Sequence, residues 1–351
     1  MTVRPLLALA TVFAVAAAPS AFDRPASSAA QVQPAARVPG FKIGHFTLTE
    51  RPTGCTVIIA PPNTVGGVDV RGGAPGTIET DLLKPENTVS IVNAVFLTGG
   101  SAFGLAVHTG VQKYLESQKL GYPAGGYFVP IVPGAVIFDL TVGDGKIRPD
   151  GDCGFQAASA ATADAVREGS VGAGAGATVG KFAGGRPMKG GVGYASLTLD
   201  TGLIVSAIVV TNAAGSIVDP ATGKAIAGVL AADGKTIEDP HALIRRGVVP
   251  TGSPVANTTI GVIMTNAKLT KAEALKVSQM AHDGLARTIY PVHTGGDGDT
   301  LFTLASGTVT TDFSRVGVLA AEAVADAVVR SVRTATGLPR YPSIADLAAI
   351  K

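Results

Sequence analysis

The residues best suited to chemistry lie where a loop leads into an apolar strand. Asn257 and Thr258 follow a loop signal at residues 251–254 and precede the β-branched run 260–264, which predicts a buried strand. A threonine hydroxyl held at this junction can attack the carbonyl carbon of the residue before it. The peptide bond between Asn257 and Thr258 would become an ester and then hydrolyse, which would leave Thr258 as a new N-terminus.

A threonine at an N-terminus carries its own general base. Its free α-amino group, with a pKa of about 8, can accept the proton of the hydroxyl on the same residue. In isolation, however, Asn257, Thr258 and Thr259 are typical of a turn followed by a β-favouring pair. These three residues alone leave both interpretations open.

Two carboxylates flank Gly298 in the predicted loop 291–300. If Asp297 and Asp299 face Thr258, their negative charge stabilises its ammonium group and sets its protonation. If they do not, two acidic residues around a glycine form a solvated turn. The spacing of the residues fits either arrangement.

Lys181 and Asn212 are two further candidates. Lys181 follows Gly180 and is either a surface cation or the group that holds the nucleophile in a low-pKa environment. Asn212 follows the predicted strand 203–211 and is either a turn residue or an amide donor to a tetrahedral oxyanion. Each functional role requires the side chain to lie near Thr258.

Other catalytic and binding motifs fit poorly. Residues 174–182 approach a phosphate loop, but Ala175 stands where the first glycine is needed and Phe182 where a serine or threonine is needed. The stretch follows a predicted helix rather than a strand, which argues against a dinucleotide fold. Ser101 follows a strand and opens a helix, but it lacks the G-x-S-x-G pattern of esterases. The five histidines show no paired helical spacing, which argues against a zinc site.

Composition limits the possible partners. The chain is 46% hydrophobic and 15% charged, with a net charge of only +2, so nothing predicts a nucleic-acid or acidic-surface partner. Cys55 and Cys153 are the only cysteines. They either pair after export or serve as small buried side chains.

The N-terminal segment has the layout of a secretory signal. In residues 1–21 one cation, Arg4, precedes an apolar stretch at 6–18 that is short for a membrane span. Residues 22–37 are rich in Ala, Ser, Pro and Gln and predict a disordered leader. We therefore expect a periplasmic or secreted protein; a retained N-terminal anchor is the alternative.

In the body of the chain, strand-like and helix-like segments alternate. The predicted strands are 54–60, 68–71, 93–98, 137–142, 191–199, 203–211, 260–264 and 301–305. The turn at 200–202 predicts that 191–199 and 203–211 form a hairpin. The predicted helices are 101–115, 153–168, 270–288 and 313–333, with a short helical turn at 80–83. Thr270 and Glu273 predict a capping box at the start of the third of these helices. Residues 216–256 show little periodicity and predict a long loop before the junction. These elements predict an α/β sandwich with two sheets between helical layers.

The motifs at residues 38–45, 99–105, 257–262 and 281–287 together resemble the autoprocessing aminopeptidases. This family comprises the L-aminopeptidase/D-esterases and the β-aminopeptidases, and it shares a fold with ornithine acetyltransferase. The resemblance extends from about residue 38 to residue 307. The Asn-Thr junction and the Asp-Gly-Asp triplet look most like those of the 6-aminohexanoate-oligomer (nylon oligomer) hydrolases. The β-aminopeptidases typically place a serine at the nucleophile.

The resemblance implies that Thr258 is the nucleophile, freed by cleavage after Asn257. The family's lysine, oxyanion-side asparagine and acidic pair would be Lys181, Asn212, Asp297 and Asp299. It also implies an αββα sandwich, cut into an α fragment (38–257) and a β fragment (258–351), with no metal and no organic cofactor. The fragments would stay together and assemble as a ring-like homotetramer of α/β heterodimers.

The resulting expectation is an amide hydrolase that forms an acyl-enzyme on Thr258 and takes a short peptide or other small amide as substrate. Neither a nucleic-acid partner nor stable membrane insertion after removal of the leader is expected. Two alternatives stay open: an acyltransferase of the ornithine acetyltransferase type, and an exported, unprocessed binding protein. The leader lies outside the family core, so the cellular role and natural substrate do not follow from the resemblance.

Overall fold

The structure is a computed structural model that describes Met1 and residues 37–182, 185–247 and 257–349. The predicted signal peptide and leader at 1–37 therefore lie outside the described residues, apart from Met1 and Arg37. Residues 35–351 belong to one compact unit. Within the part of the chain that is described, no helix is both long enough and apolar enough to cross a membrane.

The strands and helices are numbered in chain order. The strands are β1 (Lys42–Thr47), β2 (Gly54–Ile59), β3 (Val65–Val70), β4 (Thr77–Ile78), β5 (Ala94–Thr98), β6 (Tyr122–Ala124), β7 (Tyr127–Val129), β8 (Gly134–Val136), β9 (Thr178–Val179), β10 (Met188–Lys189), β11 (Gly191–Thr198), β12 (Ile204–Asn212), β13 (Ser216–Val218), β14 (Ala225–Ala227), β15 (Thr258–Ala267), β16 (Ile289–Tyr290) and β17 (Thr300–Val309). The helices are α1 (Val107–Ser117), α2 (Gly151–Ser159), α3 (Pro240–Arg245), α4 (Lys271–Thr288), α5 (Phe313–Arg333) and α6 (Ile344–Ala349).

Two five-stranded sheets form the centre of the molecule, with strand orders β1-β2-β5-β8-β4 and β11-β12-β15-β17-β3. In β12, Ile208 and Val210 pack in the hydrophobic cluster between the two sheets, whereas Ala207 and Val209 pack with residues of α4 and α5. This alternation is what a strand covered on both faces requires. Helices α1 and α2 cover the outer face of the first sheet. The layers run α-β-β-α, which confirms the predicted sandwich.

Local signals predicted several elements well. Thr270 and Glu273 form the expected capping box, in which each side chain accepts the backbone N–H of the other residue. Helix α5 has the bounds predicted for 313–333, and the predicted hairpin corresponds to β11 and β12. In these segments the periodicity of the sequence and the tertiary packing agree.

Two predicted elements are wrong because of contacts with distant residues. The strand predicted at 137–142 is absent: β8 ends at Val136, and the chain then turns so that Asp139 meets Arg51. The helix predicted at 153–168 ends at Ser159 as α2. Beyond that helix, the backbone of Thr162 exchanges hydrogen bonds of 2.9 and 3.2 Å with Ile43 of β1. A helical residue could not make these bonds.

The long loop predicted at 216–256 is also wrong in its described part. It contains β13, β14 and α3, and β13 pairs with both β14 and the distant β16. Such non-local pairing leaves no periodic signal in a strand of three residues. Residues 248–256 lie outside the described residues. A short helix, α6, follows the helix that was predicted to be the last.

Cys55 of β2 and Cys153 of α2 form a disulfide, with 6.2 Å between their Cα atoms. The sequence had left their pairing open. Both cysteines are buried. The bond joins the first sheet to the helical layer that covers it.

Candidate active site

Strand β15 brings residues from three parts of the chain to one place. Thr258 is its first residue, and antiparallel pairing sets Asn212, the last residue of β12, opposite Thr258. Parallel pairing sets Thr300, the first residue of β17, opposite Ile260. The loop before β17 must therefore lie beside the start of β15. The sheet topology thus explains how Asp297 and Asp299 reach the junction.

The peptide bond before Thr258 is held between two hydrogen-bond donors. Asn257 and Thr258 are only 8% and 5% exposed. The Thr258 Oγ1 donates to the carbonyl oxygen of Asn257, and the backbone N–H of Gly298 donates to the same oxygen at 3.0 Å. A Cβ atom on Gly298 would lie 3.0 Å from Thr258 Oγ1. Glycine therefore leaves room for the hydroxyl while its N–H polarises the carbonyl.

Asp299 holds the residue after Thr258. Its Oδ1 accepts the backbone N–H of Thr259 at 2.6 Å. Its Oδ2 accepts hydrogen bonds from Nδ1 of His293 at 2.8 Å and from the backbone N–H of the same histidine at 3.2 Å. Asp299 is 1% exposed. The carboxylate thus fixes the backbone at the start of β15 rather than contacting the Thr258 hydroxyl.

Asp297 is the second buried acid of the loop. Its Oδ2 accepts hydrogen bonds from the N–H and the hydroxyl of Thr294, at 2.9 and 2.7 Å. Its backbone forms a parallel bridge with Asn257. Burial raises the pKa of Asp297, and the nearby negative charge of Asp299 raises it further, whereas the hydrogen bonds from Thr294 and then the charge of Lys181 lower it. The protonation of Asp297 is therefore tied to that of its neighbours.

Lys181 places an amine next to the strand partner of Thr258. Its Nζ donates to the carbonyl oxygen of Asn212 at 2.7 Å. Burial of the amine lowers the pKa of Lys181 to about 7, against the opposing effects of Asp297, Asp139 and Asp299. A lysine with this pKa exists in both charge states near neutral pH.

The side chain of Asn212 is oriented by backbone groups on both sides. Its Oδ1 accepts the N–H of Thr178 at 3.0 Å, and its Nδ2 donates to the carbonyl oxygen of Phe138 at 3.0 Å. An amide nitrogen carries two protons, and the bond to Phe138 uses one. The side chain is therefore held at the junction with one proton committed to Phe138.

All five predicted site residues thus lie around one junction, but two important groups were missed. The backbone N–H of Gly298 offers no signal in a sequence. His293 was considered only as a possible zinc ligand, although its position in the same loop as the acidic pair was a usable signal. Within the described residues, no group of three or more His, Cys, Asp or Glu side chains is arranged to hold a metal ion.

Comparison with known protein families gives a match over most of the chain. The sequence model of peptidase family S58 matches residues 36–341. An uncharacterised aminopeptidase of Mycobacterium tuberculosis is 43% identical over 336 residues, which cover 87% of this chain and 95% of the relative. A 6-aminohexanoate-oligomer endohydrolase of Agromyces sp. is 31% identical over 309 residues and 84% of both chains.

Comparison with solved structures agrees with the sequence matches. The structure of the L-aminopeptidase D-Ala-esterase/amidase of Ochrobactrum anthropi superposes with a TM-score of 0.67 at 17% sequence identity. The match covers 89% of this chain and 91% of that protein. That structure was described as a variant of the Ntn hydrolase fold. At this level of identity the match shows that the fold is shared.

Proposed function

Because the chain belongs to peptidase family S58 and is therefore a hydrolase of peptide or other amide bonds, we propose that it acts through Thr258 after cutting its own chain. The cut would fall between Asn257 and Thr258. The observation that carries this proposal is the geometry of that peptide bond. The hydroxyl of Thr258 lies against the carbonyl group, and Gly298 polarises the same carbonyl oxygen.

The self-cleavage step follows from these contacts. The Thr258 Oγ1 attacks the carbonyl carbon of Asn257, and the oxyanion that forms keeps the hydrogen bond from Gly298. One such donor lowers an activation barrier by about 3 kcal/mol. The C–N bond then breaks, and the nitrogen of Thr258 gains the proton that Oγ1 lost and becomes a free amine. Water hydrolyses the ester, which leaves a carboxylate on Asn257 and restores the hydroxyl.

Turnover uses the amine that cleavage releases. The α-amino group of Thr258 takes the proton from Oγ1 as the oxygen attacks the carbonyl carbon of the substrate, and it passes this proton to the departing amine. Water then releases the acyl group from Oγ1 by the reverse transfers. Gly298, whose N–H no longer binds an intact peptide, and Asn212 supply donors to the oxyanion. Lys181 and Asp297 set the charge around the amine.

The test compares two adjacent threonines. Thr258→Val removes the reacting hydroxyl at nearly constant volume, and Thr259→Val does the same one residue later. Thr259 is a suitable control because its buried Oγ1 has no hydrogen-bond partner among the described residues. By intact mass, the wild type and Thr259→Val should release the fragment 258–351, whereas Thr258→Val should stay whole and inactive.

Two results would contradict the proposal. Hydrolysis by Thr258→Val at the wild-type rate would remove Thr258 from the mechanism. A wild-type chain that hydrolyses amides while it stays uncut would remove the N-terminal amine as the base, because that amine exists only after cleavage.

The relatives suggest the class of substrate. They include proteins named aminopeptidase and 6-aminohexanoate-oligomer endohydrolase. We propose that the substrates are short peptides or linear amide oligomers that end in a free amine. The panel that separates these classes contains an α-peptide, a β-peptide, a D-residue amide and a 6-aminohexanoate oligomer. The ratio kcat/KM would be compared between the wild type and Thr258→Val for each.

We further propose that the chain is exported and that its cleaved form assembles as a homotetramer of α/β heterodimers. Export is supported by the signal-like pattern of residues 1–21 and by the disulfide between Cys55 and Cys153, which suits an oxidising compartment. The tetramer is supported by the resemblance to the aminopeptidases. Light scattering on the purified protein measures the assembly, and the mass of the N-terminal fragment from a periplasmic extract measures removal of the leader.

A further inference from the structure

The His293 imidazole lies in the site but takes no part in the proposed steps. Its ring and its backbone N–H both reach Oδ2 of Asp299, at 2.8 and 3.2 Å. The other oxygen of the same carboxylate accepts the N–H of Thr259 at 2.6 Å. One histidine therefore fixes the rotation of a carboxylate that in turn fixes the second residue of β15.

The partner also determines the tautomer of this histidine. A carboxylate oxygen accepts hydrogen bonds, so the proton of a neutral His293 lies on Nδ1. The side chain of Asp299 is almost fully buried. Few other groups can then replace His293 as a donor to Oδ2.

A second histidine packs against the first. The rings of His282 and His293 meet at 70°, with their centroids 4.9 Å apart. His282, from α4, is fully buried, and its Nε2 lies 3.2 Å from the carbonyl oxygen and 3.4 Å from the carboxylate of Asp69. Burial lowers the pKa of His282 to about 4, so its ring is neutral near neutral pH. The ring of His293 is thus held between a carboxylate and an uncharged ring.

The backbone of His293 is held in an unfavourable conformation. Its φ angle is +55°, in the left-handed region that residues with a Cβ atom rarely adopt. In this conformation the backbone N–H and the ring Nδ1 of one residue bind one oxygen. Strain of this kind persists where the surrounding contacts require it, and it is frequent at functional sites.

We propose that His293 is a positioning residue for Thr258. It holds Asp299 in the orientation that fixes the N–H of Thr259, and so it sets the direction from which the Thr258 hydroxyl approaches a carbonyl carbon. This inference rests on the proposed role of Thr258. His293 does not touch the reacting atoms, so its removal should lower kcat while KM for a small amide stays nearly constant.

The experiment compares three substitutions. His293→Ala removes the ring donor and keeps the backbone N–H, His293→Asn restores an amide N–H near the position of Nδ1, and His293→Gln carries its amide farther, near the position of Nε2. Asparagine also tolerates the left-handed backbone. We expect His293→Ala and His293→Gln to slow both self-cleavage and kcat by about 10- to 100-fold, as misplaced groups do. His293→Asn should recover most of both rates.

A second histidine–carboxylate pair supplies the control. His108 of α1 lies 3.3 Å from Glu79; this pair belongs to neither β15 nor the loop before β17, and His108→Ala should cleave and turn over at the wild-type rate. Thermal midpoints of all variants report whether they fold. Should His293→Ala fail to fold, the contrast between the Asn and Gln variants decides instead.

The outcomes separate this inference from the proposed function. Wild-type cleavage and kcat in His293→Ala would overturn the positioning role while leaving Thr258 as the nucleophile. Equal rates in folded Asn and Gln variants would overturn it too, because the position of the donor would then not matter. The proposed function itself would be overturned by an active Thr258→Val variant or by a wild-type chain that hydrolyses amides while it stays uncut.

Discussion

Single residues of opposite charge lie around Thr258, and they would act on the amine that the proposed cleavage frees. Lys181 binds the carbonyl of Asn212, the strand partner of Thr258, and Asp297 bridges to the residue before it. A cation near the Thr258 ammonium destabilises it, and an anion stabilises it. The pKa of the α-amino group, and hence the pH at which it becomes a base, depends on both neighbours.

We therefore predict opposite shifts in the pH dependence of kcat/KM. The neutral amine is the active form, so activity rises with pH through the pKa of that amine. Lys181→Met removes an amine that is only partly protonated in this pH range, so it should raise this pKa slightly and move the rise to higher pH by less than about one unit. Asp297→Asn removes an anion, lowers this pKa and should move the rise to lower pH by a similar amount. The measurement is kcat/KM against pH for the wild type and both variants.

Shifts of the pH profile in the same direction for Lys181→Met and Asp297→Asn would contradict this prediction. If both substitutions move the profile in the same direction, or if neither moves it, the two charges do not act on the amine of Thr258. Thr259→Val again serves as the control with an unchanged profile.

At the scale of the elements, the local part of the fold could be predicted and the non-local part could not. Capping and periodicity located α4 and α5, because those signals lie within each helix. These signals failed for 137–142, because a buried ion pair rather than a sheet ladder determines the backbone path of that segment. The junction at Thr258 was visible as a loop that meets an apolar strand. The contribution of Gly298 depended on strand register, which only the fold defines.

The segment after β8 is organised by one side chain. The guanidinium of Arg51 donates to the carbonyl oxygens of Val142 and Ile147, at 2.7 and 2.8 Å, and pairs with Asp139 at 2.9 Å. Both charged side chains are fully buried. Phe138, directly before Asp139, supplies the carbonyl that orients the Asn212 amide. Arg51 therefore acts on the site through the shape of this segment.

We predict that Arg51→Met destabilises the protein strongly, because it leaves the buried Asp139 carboxylate without its ion-pair partner. Loss of one partner of such a pair costs about 3–5 kcal/mol. Arg51→Met combined with Asp139→Asn should be more stable than Arg51→Met alone, since no unpaired charge remains. Urea unfolding measures this in the Thr258→Val background, which should keep one intact chain. If the single and double variants lose the same free energy of unfolding, the unpaired charge is excluded as the cause.

At the scale of the whole molecule, the junction before Thr258 lies within one sheet and not at a boundary between domains. Strands β3, β11 and β12 precede it, whereas β15 and β17 follow it, and all five share one sheet. Two ladders cross the division, β12 with β15 and β17 with β3. The disulfide between Cys55 and Cys153 lies wholly within 38–257. After cleavage, the fragments should copurify under native conditions and separate in detergent without a reductant.

If the chain is cut at this junction, as we propose, refolding becomes a reaction between two molecules. Before the cut, the two halves belong to one chain and fold together intramolecularly. After the cut, two separate chains must meet by diffusion. We predict that the refolding yield of the urea-unfolded mature protein rises with protein concentration, whereas that of Thr258→Val does not depend on it over the same dilute range. Activity or circular dichroism after dilution from urea measures this, and a mature protein that refolds independently of concentration would contradict it. The enzyme would then gain its catalytic amine through an irreversible event that also removes its ability to refold alone, so each copy would fold efficiently only once.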